Sequence, residues 1–285
     1  MEKSLEANRT NKVNLSKWPW WAIALILTGL LLTYSIFASE TYRSTFTYLS
    51  DGIIVTLRIT FFSYLLATVI GLFVGLARVS KNVVVYNLST LYVEAVRGVP
   101  MVVLILYFAF ALMPVLIEWL RSFGEWWLSW AAGTAFANLF AGLADPLLIR
   151  KVPNEMRAII ALAIGYGAFE AEVFRAGIQS IGKGQMEAAR SMGMSYIQAM
   201  RFVILPQAIR RVLPPLGNDF IALLKDSALV TVLAINDITQ LGRLRRASTF
   251  RVLETFNVVA FLYLSMTLLL SAGVRVLEQK MRIEE

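Results

Sequence analysis

Apolar residues fall in blocks about 20 long separated by short polar stretches, the length a helix needs to cross a ~30 Å hydrocarbon core. Trp18 to Phe37 is the first block, with Trp18, Trp20 and Trp21 at its start as interfacial anchors. Gly52 to Ala77 is the second; its single charge, Arg58, is placed to snorkel. Asn82 to Leu120 is too long for one span and divides at Arg97-Gly98-Val99-Pro100, where the proline disfavours continued helix. Residues 121–156 hold Trp126, Trp127, Trp130, a run of small residues and Asp145-Pro146, which predicts an interfacial or re-entrant excursion on the outer side. Arg157 to Ile181 is the next span, followed by a polar, helix-like stretch to Gln207. Leu213 to Ile235 and Thr255 to Leu277 complete the set. The pattern predicts an all-α polytopic membrane protein of about six spans, with a polar tail at 1–17 and no internal repeat.

Composition agrees. Of 285 residues, 58% are hydrophobic and 16% charged, with a mean hydropathy of +0.64, so lipid is the solvent of most of this surface. The chain has no cysteine and no histidine. That removes disulfides, thiolate and imidazole catalysis, and most transition-metal sites. The net charge of +8 does not point to nucleic acid, because Lys and Arg flank apolar runs and form no aromatic-interleaved patch. With the N-terminus cytoplasmic, the inner segments carry fourteen Lys and Arg against nine outside, the usual sense of the positive-inside bias. An outer loop with Arg243, Arg245, Arg246 and Arg251 runs against that bias and predicts a surface for an acidic partner.

Between the fourth and fifth long blocks stands Glu187-Ala188-Ala189, then Gly193, then Val203-Ile204-Leu205-Pro206. Glu187 and the alanines suit the first turn of a short helix and Gly193 its end. A helix over 195–205 then presents Tyr196, Ala199 and Val203 at helical spacing. Such an element, lying across the membrane face, can seat in a groove on a partner and carry its motion into the spans.

These residues resemble the EAA loop of binding-protein-dependent ABC importers, with Val203 in place of the isoleucine. Thr56-Leu57-Arg58-Ile59, Arg97-Gly98-Val99-Pro100, Glu172-Val173-Phe174-Arg175-Ala176-Gly177 and Leu223-Leu224-Lys225-Asp226-Ser227-Ala228-Leu229 are similar to the polar-amino-acid branch of those permeases. The resemblance covers residues 50–280 and implies a MetI-like five-helix core, here with an extra N-terminal helix at 18–38 and an insert at 121–156. It implies a permease subunit of an ATP-driven importer for polar or charged amino acids in the bacterial inner membrane. It also implies a coupling loop at 183–207 (Glu187, Ala188, Ala189, Gly193, Leu205, Pro206), two cytosolic ABC ATPases, a second permease chain and an extracytoplasmic solute-binding protein. ATP and magnesium belong to the ATPases, and this chain needs no cofactor. The alternative, an ion-gradient-driven secondary amino-acid transporter, predicts inverted repeats and broken spans at matching positions and leaves the loop unexplained.

Gly177-Ile-Gln-Ser-Ile-Gly182-Lys183 matches the first seven positions of a Walker A loop, but Gly184 stands where Ser or Thr should hold magnesium. Charges inside the spans are the remaining chemistry, each costing roughly 2.5–3.5 kcal/mol at bilayer depth. Glu172 and Arg175, and Glu94 and Arg97, are three apart and predict ion pairs on one helix face. Lys225 and Asp226 are adjacent and predict partners on other elements. Glu170 has no basic residue at i±3 or i±4, and Tyr166 and Phe174 share its face. That makes it a seat for an ammonium or guanidinium group, or else a protonated or cross-helix-paired glutamate. Glu170, Tyr166, Phe174 and Arg97 are the candidates for a substrate path.

Overall fold

The structure, a computed structural model, describes residues 20–132, 134, 136–145 and 152–281. The tail at 1–17, Trp18 and part of the 121–156 segment lie outside that set. Ten helices are named here: α1 (Trp20–Ala38), α2 (Glu40–Ala77), α3 (Val83–Arg97), α4 (Met101–Trp130), α5 (Asn154–Gln179), α6 (Lys183–Ser191), α7 (Tyr196–Ala199), α8 (Leu205–Asp226), α9 (Ile238–Thr249) and α10 (Val252–Met281). Among the described residues there is no strand. Among the described residues four helices are long and apolar enough to cross a membrane: α1, α2, α4 and Val252–Val276 of α10. The other two expected spans correspond to α5 and α8, which carry charges; α5 packs along α2, and α8 packs on α5, α10 and α2.

The centre of the fold is the pairing of α2 with α5, the most extensive helix contact in the molecule. Arg58 meets Glu155, Gly71 meets Glu170 and Gly75 meets Phe174, so the two helices run parallel. Small residues make the approach possible. A Cβ on Gly71 would come 2.7 Å from Glu170 Cβ, and one on Gly75 would come 2.8 Å from the Ala171 carbonyl oxygen. Ala158, Ala161, Ala168 and Ala171 are buried on the facing helix. Gly52 makes a third close approach, where an added Cβ would come 2.6 Å from the Ile238 amide nitrogen, and seats the start of α9.

The break at Gly98-Val99-Pro100 is present, with Gly98 ending α3 and Pro100 capping α4. The Tyr92 hydroxyl donates to the Ile164 carbonyl at 2.6 Å, fixing α3 against the middle of α5. Met101 lies against Gly165, and Ala109 lies level with Arg157, so α4 runs antiparallel to α5. Two π-turns interrupt otherwise straight helices, at Phe108–Leu112 and Met200–Ile204. Each is followed within two residues by a proline, Pro114 or Pro206. A proline lacks the N–H for the i−4 bond and clashes with that carbonyl, and the wider turn removes the clash.

Several sequence boundaries are corrected. The fourth helix does not stop at Leu120 but continues to Trp130, where Gly124 packs on the 3₁₀ turn Ala141–Ala144. The fifth block's helix begins at Leu205 rather than Leu213 and ends at Asp226, followed by a 3₁₀ turn over Ser227–Leu233. The helix expected over 195–205 is present from Tyr196 and continues through a π-turn into α8. Residues 243–251, expected as a loop, lie mostly in α9.

Gly71→Leu should therefore lower the unfolding temperature in detergent sharply, since overpacking of this kind costs at least 1–3 kcal/mol, as roughly seen in soluble cores. Gly142→Leu, where no atom lies within 4 Å of the added Cβ, is the control. Equal melting temperatures for the two variants would show that the α2–α5 contact is not what holds the fold.

Candidate functional site

The polar loop between α5 and α8 folds into a two-helix elbow whose corner is locked from both sides. Gly193 adopts φ +85°, the left-handed conformation that costs other residues about 1–2 kcal/mol. There the Met194 N–H bonds to Ala189 O at 3.2 Å and the Gly193 N–H to Arg190 O at 3.0 Å, the paired bonds of a Schellman stop. One residue later Ser195 starts α7 with a capping box. Its Oγ accepts from the Gln198 N–H at 3.3 Å, and the Gln198 side chain accepts from the Ser195 N–H at 2.8 Å. Gly193 thus ends α6 as expected. Glu187, however, stands in the middle of that helix and not in its first turn, because α6 begins at Lys183.

The elbow's inner side is apolar. Ile181, Ile204 and Ala208 form one cluster with Met186, Met200 and Val203, and Arg211 donates to the Ser180 carbonyl at 2.6 Å. Ala189 and Ala199 are buried. The outer side is different: Met192 (80% exposed), Tyr196 (60%), Ile197 (76%) and Phe202 (63%) are exposed, as are Glu187 and Ala188, with Arg201 over the Phe202 ring at 5.5 Å. Leu205 and Pro206 form the first turn of α8, the one helical position that needs no N–H from a proline. Next to the elbow, between α5 and α8, a cavity of about 400 Å³ is lined by Glu172, Val173, Gly177, Arg211 and Pro215.

Above this cavity an ionic knot ties three helices. Arg78, 8% exposed at the end of α2, donates to Glu172 of α5 at 2.6 Å and lies 3.6 Å from Glu94 of α3. Glu172 also pairs with Arg175 one turn on. The Glu94–Arg97 pair does not form. Arg97 instead lies over the Phe169 ring at 5.5 Å, because Arg78 reaches Glu94 from the neighbouring helix. Arg78 was legible only as one more inner basic residue, since pairing across helices leaves no i, i+3 spacing to read.

The substrate-path candidates are enclosed. Glu170 is 0% exposed and neither carboxylate oxygen has a hydrogen-bond partner; Thr68 faces it but donates to the Tyr64 carbonyl at 2.9 Å. Tyr166 and Phe174 are buried as well. The Tyr166 hydroxyl donates to Asp226 at 2.8 Å, so it serves as the cross-helix partner of Asp226 and not as the rim of an open seat. Lys225 is exposed on α8. Glu170 pairs with neither Arg58, which holds Glu155, nor Arg97, which lies over Phe169. The Gly177–Lys183 segment lies at the end of α5 and the start of α6. The strand that a phosphate loop needs is absent among the described residues.

At the opposite end, α9 is capped by Asp237, which accepts from the Gln240 and Thr239 N–H groups at 2.9 and 3.2 Å and from the Tyr263 hydroxyl at 3.2 Å. Burial raises its pKa. This cap was missed in the sequence, although Asp followed three residues later by Gln carries the signal. Of the arginines on and after α9, Arg243, Arg246 and Arg251 are exposed. Arg243 donates to Thr231, Arg245 to Ser44 and Arg251 to Thr41.

A family model described as "binding-protein-dependent transport system inner membrane component" matches residues 67–283. The glutamine transport system permease protein GlnP of Escherichia coli (strain K12) is 34% identical over 235 residues, covering 82% of this chain and 93% of that protein. The arginine transport system permease protein ArgU of Corynebacterium glutamicum is 30% identical over 271 residues, covering 91% and 79%. The crystal structure of an amino acid ABC transporter with histidines contains a chain 32% identical, with TM-score 0.65, covering 82% of this chain and 94% of that one. An inward-facing MetNI methionine ABC transporter, 21% identical with TM-score 0.58 over 82% and 96%, shares the fold.

Arg78→Met should destabilise the protein well beyond Arg175→Met, because it leaves two carboxylates without their shared cation. A fully buried pair broken this way loses roughly 3–5 kcal/mol, and the partial exposure of Glu172 (28%) reduces that. Thermal unfolding of Arg78→Met, Glu172→Gln and the double variant should show the double less impaired than the sum. Strict additivity would mean the knot carries no coupling.

Proposed function

Since the chain belongs to the binding-protein-dependent transport system inner membrane component family, we propose that it is the permease subunit of an ATP-driven importer of polar amino acids. The observation that carries the coupling role is the elbow: four large apolar side chains, Met192, Tyr196, Ile197 and Phe202, held exposed around Glu187 by a corner with no slack. Exposed apolar residues on a rigid, otherwise polar segment mark a protein contact. The partner is a cytosolic ATPase, and Glu187, Ala188, Ala189, Gly193, Leu205 and Pro206 form or frame the surface it grips. Two ATPases, a second permease chain and a solute-binding protein complete the importer, and the substrate's positive end meets Glu170 only in a state in which that carboxylate is exposed.

This reading puts the elbow and the N-terminus on the cytoplasmic side and α9 outside. The substrate class rests on relatives named for glutamine and arginine transport. An ion-gradient-driven transporter has no use for a docking elbow and predicts no ATPase in the purified complex.

The chain should purify with a P-loop ATPase in equal copy number. Because it has no cysteine, Met192→Cys is a clean probe. A membrane-impermeant maleimide should label it in inverted vesicles stripped of ATPase, and bound ATPase should protect it. Labelling from outside sealed cells would overturn the topology. Gly193→Val should abolish transport while leaving the subunit inserted, since a β-branched residue cannot hold the corner's conformation at acceptable strain. Normal transport by that variant would remove the coupling role.

A further inference from the structure

Three cavities lie end to end where α1 turns into α2. The first, about 490 Å³, is a polar basin lined by Glu40, Arg43, Ser44, Tyr48, Asp51 and Arg245. Arg43 also lines the second, about 330 Å³, between α1, α2 and α10, with Ile36, Phe37, Phe46 and Phe261. Phe261 in turn lines the third, about 270 Å³, running along α1 and α10 past Leu25, Gly29, Leu264 and Leu268. A polar basin thus continues into an apolar crevice on the lipid-facing flank of the protein.

The basin holds two positive and two negative groups. Arg43 donates to the Phe37 carbonyl, and Arg245 donates to Ser44 at 2.9 Å and lies over the Tyr48 ring at 5.6 Å. The Arg245 Nε is buried with no hydrogen-bond partner. Among the described residues neither arginine forms a salt bridge with Glu40 or Asp51. Four charges of balanced sign that face one cavity without pairing complement a ligand that carries both signs. A wholly anionic headgroup would meet two carboxylates, and a solute-binding protein's acidic surface would meet the same repulsion. The apolar crevice below excludes a soluble zwitterion as the natural occupant, since apolar cavities take apolar guests and stay dry. The solvent of this flank is acyl chains.

We infer that this groove binds one zwitterionic phospholipid with a primary ammonium, its phosphate between Arg43 and Arg245, its ammonium toward Glu40 and Asp51, and an acyl chain in the α1–α10 crevice. The lipid fastens α1, a helix with little buried surface of its own, to the core. It also answers why arginines collect on the side of the membrane where the positive-inside bias disfavours them.

The test uses the intact permease–ATPase complex, delipidated in detergent, with thermal unfolding read after adding phosphatidylethanolamine, phosphatidylglycerol or soluble phosphoethanolamine. Phosphatidylethanolamine should raise the melting temperature, and the other two should not at equal concentration. Arg245→Gln and Asp51→Asn should each weaken the apparent lipid affinity about tenfold, the scale of one charge-assisted bond. Gly29→Leu puts bulk into the crevice from a Cβ with nothing within 4 Å, and should abolish the shift while leaving the lipid-free melting temperature unchanged. The proposal fails if phosphatidylglycerol or soluble phosphoethanolamine stabilises equally, or if the three variants respond to lipid like the native chain. It fails equally if Arg245→Gln weakens binding of the solute-binding protein with the lipid response intact. Cross-linking between two copies carrying Gly29→Cys would assign the crevice to a second chain and overturn it.

Discussion

Everything else in this protein is arranged around the backbone-close contact of α2 with α5. A helix bearing Glu155, Arg157, Glu170, Glu172 and Arg175 cannot face lipid, since each charge costs roughly 2.5–3.5 kcal/mol there. It can be surrounded by other helices, but only if they come close enough to exclude lipid along its length. Gly71 and Gly75 let α2 do so, and the alanines of α5 present no bulk to stop them. The same contact positions the inner ends of both helices, which is why Arg78 at the last turn of α2 reaches Glu172. Helix α3 joins through Glu94 and Tyr92, and the break at Gly98–Pro100 follows because α3 already meets α5 halfway along.

The elbow extends this core outward. Its apolar cluster joins Ile178 and Ile181 near the end of α5 to Ile204 and Ala208 at the start of α8, and Val212 of α8 fits where Gly177 of α5 leaves room. The corner itself has two fixed ends, a Schellman stop and a capping box, with one residue between Gly193 and Ser195. A force on the exposed face at Tyr196 and Ile197 therefore has no loose segment in which to dissipate before it reaches α5 and α8.

What the sequence made legible follows from what was local. The blocks of apolar residues, the proline break before α4, the glycine that ends α6 and the pairing of Glu172 with Arg175 all depend on residues within a turn or two. Long-range partners left no such trace: Arg78 with Glu94, Tyr166 with Asp226, Arg58 with Glu155. Glu94 and Arg97 had the right spacing, yet a better-placed cation on another helix took the carboxylate. Helix α8 was placed eight residues late because the polar stretch through Arg210 and Arg211 precedes the apolar block, whereas the helix already runs through that stretch. Residues 121–130 were read as part of an excursion over 121–156 because tryptophans and a run of small residues stand there. Glu118, Arg121 and Glu125 in fact line one face of a continuing helix and pair with one another, leaving the aromatic face intact.

Glu170 shows how depth along a span and surroundings can be confused. Its position midway along its helix and its lack of a same-helix cation are both present in the structure, and each suggested an accessible anionic seat. The neighbour that decides the matter is a residue with no side chain. Gly71 lets α2 come against the Cβ and backbone of Glu170, and the side chain is fully buried in this arrangement. Any separation of α2 from α5 would also strain the Arg78 knot at their inner ends, beside the elbow. The glycine pair, the ionic knot and the elbow lie in sequence along a single mechanical line, and the buried carboxylate sits at its far end.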